Sequence, residues 1–211
     1  HGIDVDGFGH VCHSGSELSG DAPSGDPTVL QADESRDDWP SYFRARAGAE
    51  LNGTDESRFA SVATDLRSHL EAVADDLDGP FESVLGRNDH GLHNLLVEPD
   101  TGAITAMLDW AYSLAVPPAF DFEFAVYLYG GSFLAGLPDA RDRRVLVREA
   151  MVEGYGEVAP ERVETVSTPE PRYELVAMAR LLRDFHNLDL SEEAAERCAE
   201  RLRADVRETI E

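Results

Sequence analysis

Phe59, Val62, Ala63, Leu66, Leu70, Val73, Ala74 and Leu77 follow one another at steps of three and four, which places them on one stripe of an α-helix. A stripe of that length needs an apolar partner surface, so the chain must build a core around helices. The same period predicts further helices over Trp39–Leu51, Phe120–Leu134, Ala140–Tyr155, Glu170–Asn187 and from Ser191 to the C-terminus. Ser191-Glu192-Glu193-Ala194 reads as a helix start with acids in the first turn. Between the helical stretches, Leu95-Leu96-Val97 and Ile104–Leu108 flank the turn Pro99-Asp100-Thr101-Gly102 and read as a β-hairpin. Residues 15–38, rich in Ser, Gly, Asp and Pro, read as an irregular connection. The expectation is one mainly α (α+β) unit of 211 residues with a small central β-hairpin.

Every basic side chain is arginine: 18 of them stand against 42 Asp and Glu, and no lysine occurs. A Walker P-loop, the strand lysine of a kinase and a Schiff-base enzyme all need a lysine amine, so none can be complete within these residues. A net charge of −24 opposes nucleic-acid binding, which depends on clustered cations. Abundant acid, absent lysine and modest aromatic content match the composition of proteins from salt-loving organisms. At molar salt the Debye length is about 3 Å, too short for a diffuse charge to steer a ligand. No apolar run reaches the ~20 residues that cross a bilayer, and Cys12 and Cys198 form no paired framework, so a soluble cytoplasmic protein is expected. The chain opens at His1 rather than Met, which leads to the expectation of a fragment.

Asp89, Asn94 five residues later and Asp109 after the returning strand form the sharpest chemical pattern. Phosphoryl transfer uses one carboxylate to receive a hydroxyl proton, and an amide oxygen with a second carboxylate to hold Mg²⁺. The hairpin should carry all three groups to one end. The kinase catalytic loop, H-R-D-x-x-x-x-N, has the same Asp-to-Asn spacing.

In its wider setting, Gly86-Arg87-Asn88-Asp89-His90-Gly91-Leu92-His93-Asn94 with Ile104–Leu108 and Asp109-Trp110 resembles the aminoglycoside phosphotransferase family, to which choline and homoserine kinases are related. Pro118-Ala119-Phe120-Asp121 looks like that family's D-P-A-x-D segment. The resemblance implies the helical C-terminal lobe of a protein-kinase-like fold. It implies Asp89 as catalytic base, Asn94 and Asp109 as ligands of magnesium with ATP, Asp121 as support, Trp110 as a wall of the site, and a small hydroxylated molecule as acceptor. Two positions depart from the pattern: Arg87 stands where the family has a loop-bracing His, and Pro117 where it has an Asp. The family's N-terminal, ATP-cradling lobe has no counterpart in these residues, so the chain reads as a C-terminal lobe whose parent supplies the rest. Such a lobe is expected to expose an apolar face.

Other patterns have plainer explanations. His10-Val11-Cys12-His13 and His90-Gly91-Leu92-His93 are conceivable zinc ligands for a hydrolase, but neither has a recognised zinc spacing. Gly154-Tyr155-Gly156 with Ala159 matches a dinucleotide fingerprint on paper, yet follows a helix and meets Pro160, so it reads as a helix end. No G-x-S-x-G elbow offers a serine nucleophile. Arg180, Arg183 and His186 read as packing and surface pairing, and Trp39, Tyr42 and Phe43 as packing. Beside the phosphotransferase stands one noncatalytic alternative, a degenerate kinase-like lobe that binds a partner or metabolite.

Overall fold

In the computed structural model, which describes residues 3, 5–13 and 30–211, the apolar stripe that opens the sequence argument is buried: Val62, Ala63, Leu66 and Leu70 are each at most 1% exposed. The chain begins with strands β1 (Phe8–His13) and β2 (Leu30–Arg36), followed by helix α1 (Trp39–Glu50) and helix α2 (Ala60–Asp76), which carries the stripe. Asp38 starts α1 by accepting a hydrogen bond from the Ser41 N–H at 2.8 Å, with Pro40 in the first turn. Strand β3 (Val84–Gly86) leads into the Asp89 loop, and β4 (Leu95–Val97) and β5 (Ile104–Met107) form the hairpin. Its turn closes through Gly102, whose N–H donates to the Glu98 carbonyl at 2.8 Å with φ at 73°, a value that favours glycine.

Strand β6 (Leu114–Val116) then returns the chain to the core, and helix α3 (Pro118–Gly130) follows directly. Helices α4 (Arg144–Val158), α5 (Glu164–Ser167), α6 (Pro171–Asp184) and α7 (Glu192–Ile210) complete the described chain, with Ser191 capping α7. Helix α3 is buried nearly all round, as its apolar residues Phe120, Phe122, Phe124, Val126 and Tyr127 require, and packs against β3, α4, α5 and α6. Trp39 joins the layers: its ring lies 5.0 Å from that of Phe120, and its indole N–H donates to the Tyr173 hydroxyl on α6 at 3.2 Å.

The architecture is mainly helical with the expected hairpin. Two features differ from the sequence reading. A second, four-stranded antiparallel sheet exists, in the order β2-β1-β6-β3. Of the stretch read as irregular, residues 30–36 form strand β2, while residues 14–29 lie outside the described residues. The fingerprint-like Gly154–Ala159 falls in the last turn and cap of α4, a helix end as its Pro160 requires. The hairpin surface is strongly apolar: Leu96, Val97, Ile104, Leu108, Trp110 and Tyr112 are all exposed.

Candidate active site

The loop between β3 and the hairpin is held from three sides. From α3, the Asp121 carboxylate accepts the Arg87 backbone N–H at 2.8 Å and meets His90 Nε2 at 2.9 Å. Close approach makes this possible: a Cβ on Gly86 would lie 2.7 Å from Val116 Cγ2 and 3.1 Å from Asp121 Cγ, so glycine lets the loop start against α3. Asp121 therefore supports the loop that carries Asp89.

From α1 and α6, two guanidiniums grip Asn88, the residue before Asp89. Arg46 donates to Asn88 Oδ1 at 2.6 Å; Arg180 donates to the same oxygen at 3.2 Å and to the Asn88 carbonyl. Behind them lies Glu50, 2% exposed, which pairs with Arg46 at 2.7 Å and with Arg183. Arg180 and Arg183 thus do more than the packing and surface pairing read from the sequence. The signal was out of reach, because Arg180 and Asn88 stand 92 residues apart and nothing local links them.

The third tie is Arg87, 3% exposed, whose Nη2 donates to the Leu108 carbonyl at 2.5 Å and whose guanidinium lies 5.5 Å from the Trp110 ring centre. The residue that departs from the family pattern thereby links the Asp89 loop to the segment leading into Asp109. A second strut runs parallel to it: the Leu108 N–H donates to the Asn94 carbonyl at 2.8 Å. Asn94 immediately precedes β4 and Asp109 follows β5, at the end of the hairpin opposite its turn.

Asp89 is half-exposed and accepts the Gly91 N–H on Oδ1 at 2.9 Å, with His93 Nε2 at 3.7 Å from Oδ2. Burial pushes its carboxyl upward. The Gly91 N–H, the charge of Arg180 and the neighbouring Asn94 amide and His93 ring outweigh burial and hold it below its ordinary range. Asn94 is 6% exposed, and its Nδ2 has no partner of hydrogen-bond geometry. Asp109 is exposed, at a left-handed φ of 54°, with its Oδ1 accepting the Ala111 N–H at 3.3 Å. Asp is among the few side chains that tolerate such a φ, and its carboxylate caps the turn it makes.

The oxygen donors of Asn94 and Asp109 suit a hard cation such as Mg²⁺, which takes one or two protein carboxylates and completes its shell with phosphate and water. Among the described residues no three His, Cys, Asp or Glu side chains gather as a metal cage. The side chains of Cys12 and His13, two of the five candidate ligands in the sequence's zinc pattern, lie outside the described residues. Trp110 lines a cavity beside the loop, the wall position that the resemblance implies.

No protein-family model matches the chain, and a comparison with curated proteins finds no match. Among solved structures, a thermostable mutant of the aminoglycoside phosphotransferase APH(4)-Ia in its apo form is similar at a TM-score of 0.45 and 18% identity, over 95% of this chain and 58% of that one. The chain thus spans less than two thirds of that protein's length.

Proposed function

We propose that the chain carries the base and metal ligands of an ATP-dependent phosphotransferase acting on a hydroxyl group of a small molecule. One observation supports this reading above the others: Asp89, an accessible and ionised carboxylate, sits beside the buried amide of Asn94, on a loop tied through Leu108 to Asp109.

In this reading Asp89 accepts the hydrogen bond of the acceptor hydroxyl and aims its oxygen. A carboxylate held below its usual range is a weak proton sink. Its contribution is orientation, and the proton moves to it once the forming P–O bond has made the hydroxyl acidic, in keeping with a loose transition state. Asn94, through its amide oxygen, and Asp109 would hold Mg²⁺. The bound cation would neutralise charge on the transferring group. Arg87 keeps the two halves of the site in register through the Leu108 carbonyl, and so takes over loop bracing from the family's His.

Mn²⁺, a paramagnetic stand-in for Mg²⁺, tests the metal ligands through line broadening in amide NMR spectra. The expected result is broadening that begins at Asn94, Leu108 and Asp109 and disappears in Asp109→Asn. Broadening spread over the acidic surface without that focus, or unchanged in the variant, would refute the assignment. For the base, Asp89→Asn in the intact parent chain should lower phosphoryl transfer to a hydroxylated acceptor, followed by ³¹P NMR, by about 10²- to 10⁴-fold. Full turnover in that variant removes Asp89 from the role, whereas no transfer at all by the unmutated parent chain favours the noncatalytic reading.

A further inference from the structure

Beside the Asp89 loop lies a cavity of about 260 Å³, walled mostly by carbon from Met107, Trp110, Phe122, Tyr129 and Met151. Arg87 also lines it. This guanidinium is 3% exposed, and among the described residues no carboxylate reaches it as an ion-pair partner. Its polar contacts are the Leu108 carbonyl and, at 3.5 Å, the Tyr129 hydroxyl, and its Nε has none. A buried charge without a counter-charge is costly, by several kcal/mol for an ion withdrawn from water.

The one carboxylate in the wall, Asp121, receives the Arg87 backbone N–H and the His90 ring. The two features together, a buried cation and an aromatic wall, are those of a site that takes an anion on an apolar body.

Size narrows the class. A dry cavity of about 150 Å³ accommodates benzene, so the volume here suits one ring and a short acidic arm and is small for a multi-ring aminosugar. A polycation would also meet the Arg87 guanidinium in the wall.

We propose that this cavity binds a small carboxylic acid with an aromatic or compact apolar body, its carboxylate on Arg87 and its ring against Trp110, Phe122 and Met151. The proposal is independent of the phosphotransfer reading, since it rests on the cavity and is tested by binding alone. Its occupant would share Arg87 with the Leu108 carbonyl, and so touch the strut that sets the approach to Asp109.

Phenylacetate is the probe, with 2-phenylethylammonium as its cationic counterpart. Binding is followed by calorimetry and by the NMR signals of the Trp110 indole N–H and the Arg87 Nε–H. Phenylacetate should bind saturably, one per chain, move both signals, and exceed the ammonium by about tenfold or more. Arg87→Met should abolish the preference for the anion. Met151→Trp, placed on α4 away from the loop, should block both probes while leaving the melting temperature unchanged, which guards against misfolding in the Arg87 variant. No saturable binding of phenylacetate at concentrations on the order of 10 mM, where a Kd of about 1 mM would already saturate, overturns the proposal. Equal binding of the two probes, or wild-type binding in Met151→Trp, overturns it as well.

Discussion

Replacing Glu50 by Gln removes the negative centre of the arginine cluster that grips the Asp89 loop. Glu50 ends α1 with its carboxylate 2% exposed, at the pole of the helix that disfavours a negative charge. It is held there by Arg46 at 2.7 Å, whose side chain is 11% exposed, and by Arg183, at 35%. Removing one partner from a buried ion pair costs about 3–5 kcal/mol, because the other charges stay buried without compensation. The exposure of Arg183 lets solvent screen its share, which argues for the lower bound, about 3 kcal/mol. For a chain of this length, about 2–4 °C of melting temperature per kcal/mol gives a fall of roughly 6–12 °C by circular dichroism. The amide signal of Asn88 should shift in the same variant, since Arg46 loses one of its two acceptors. The double variant Glu50→Met with Arg46→Met should recover part of the loss, because well-packed apolar side chains replace buried pairs at little cost. A single-variant fall of less than about 1 kcal/mol, or a double variant no better than the single one, would refute the account of Glu50 as the cluster's counter-charge.

Other perturbations test other parts of the molecule. Arg180→Met removes a positive charge that holds the Asp89 carboxyl down, so its titration midpoint, read by ¹³C NMR of the side chain, should rise; an unchanged midpoint would separate Arg180 from the ionisation of Asp89. Tyr127→Phe deletes a 2.8 Å hydrogen bond to Asp205, which is 1% exposed, and should cost about 1.5–3 kcal/mol in urea unfolding because the acceptor is charged; near-neutrality would mean that Arg201 alone satisfies Asp205. Two glycine-to-alanine changes should differ in sign. Gly136→Ala places a Cβ 2.6 Å from the Arg197 carbonyl oxygen and should destabilise by about 1–3 kcal/mol. Gly154→Ala meets nothing within 4 Å inside α4 and should stabilise by about 0.5–1 kcal/mol.

What the sequence revealed depends on the range over which each signal acts. Stripes at helical spacing, the Ser191 cap and the turn at residues 99–102 are local patterns, and α2, α7 and the β4–β5 hairpin appear where they place them. The second sheet was hidden for a physical reason. Strand β6 is three residues, all buried, so it has no alternation, and β3 is just as short. Strand β2, LQADESR, offers polar residues that read as loop. The order Asp89, Asn94, Asp109 around a hairpin was legible because a hairpin is the shortest way to return a chain to its starting end. The grip on that loop was not, since Arg46, Arg180 and Asp121 approach from helices distant in sequence. An arginine on an amphipathic helix gives no local hint whether it points to solvent or into the core.

The distribution of the arginines gives the site an electrostatic character opposite to that of the whole chain. With a net charge of −24, a carboxylate at an average surface position meets like charge. Asp89 instead has Arg180 nearby, with Arg46 behind Asn88 and Glu50 balancing the pair from below. The guanidiniums of Arg46 and Arg180 are largely withdrawn from solvent, so mobile ions screen them far less than they screen the exterior. The effect on Asp89 should therefore persist at salt concentrations that erase the field of the acidic surface. Raising the ionic strength should leave the titration midpoint of Asp89 nearly in place. A midpoint for Asp89 that rises with added salt would mean that the arginine grip is structural alone and contributes nothing to keeping Asp89 ionised.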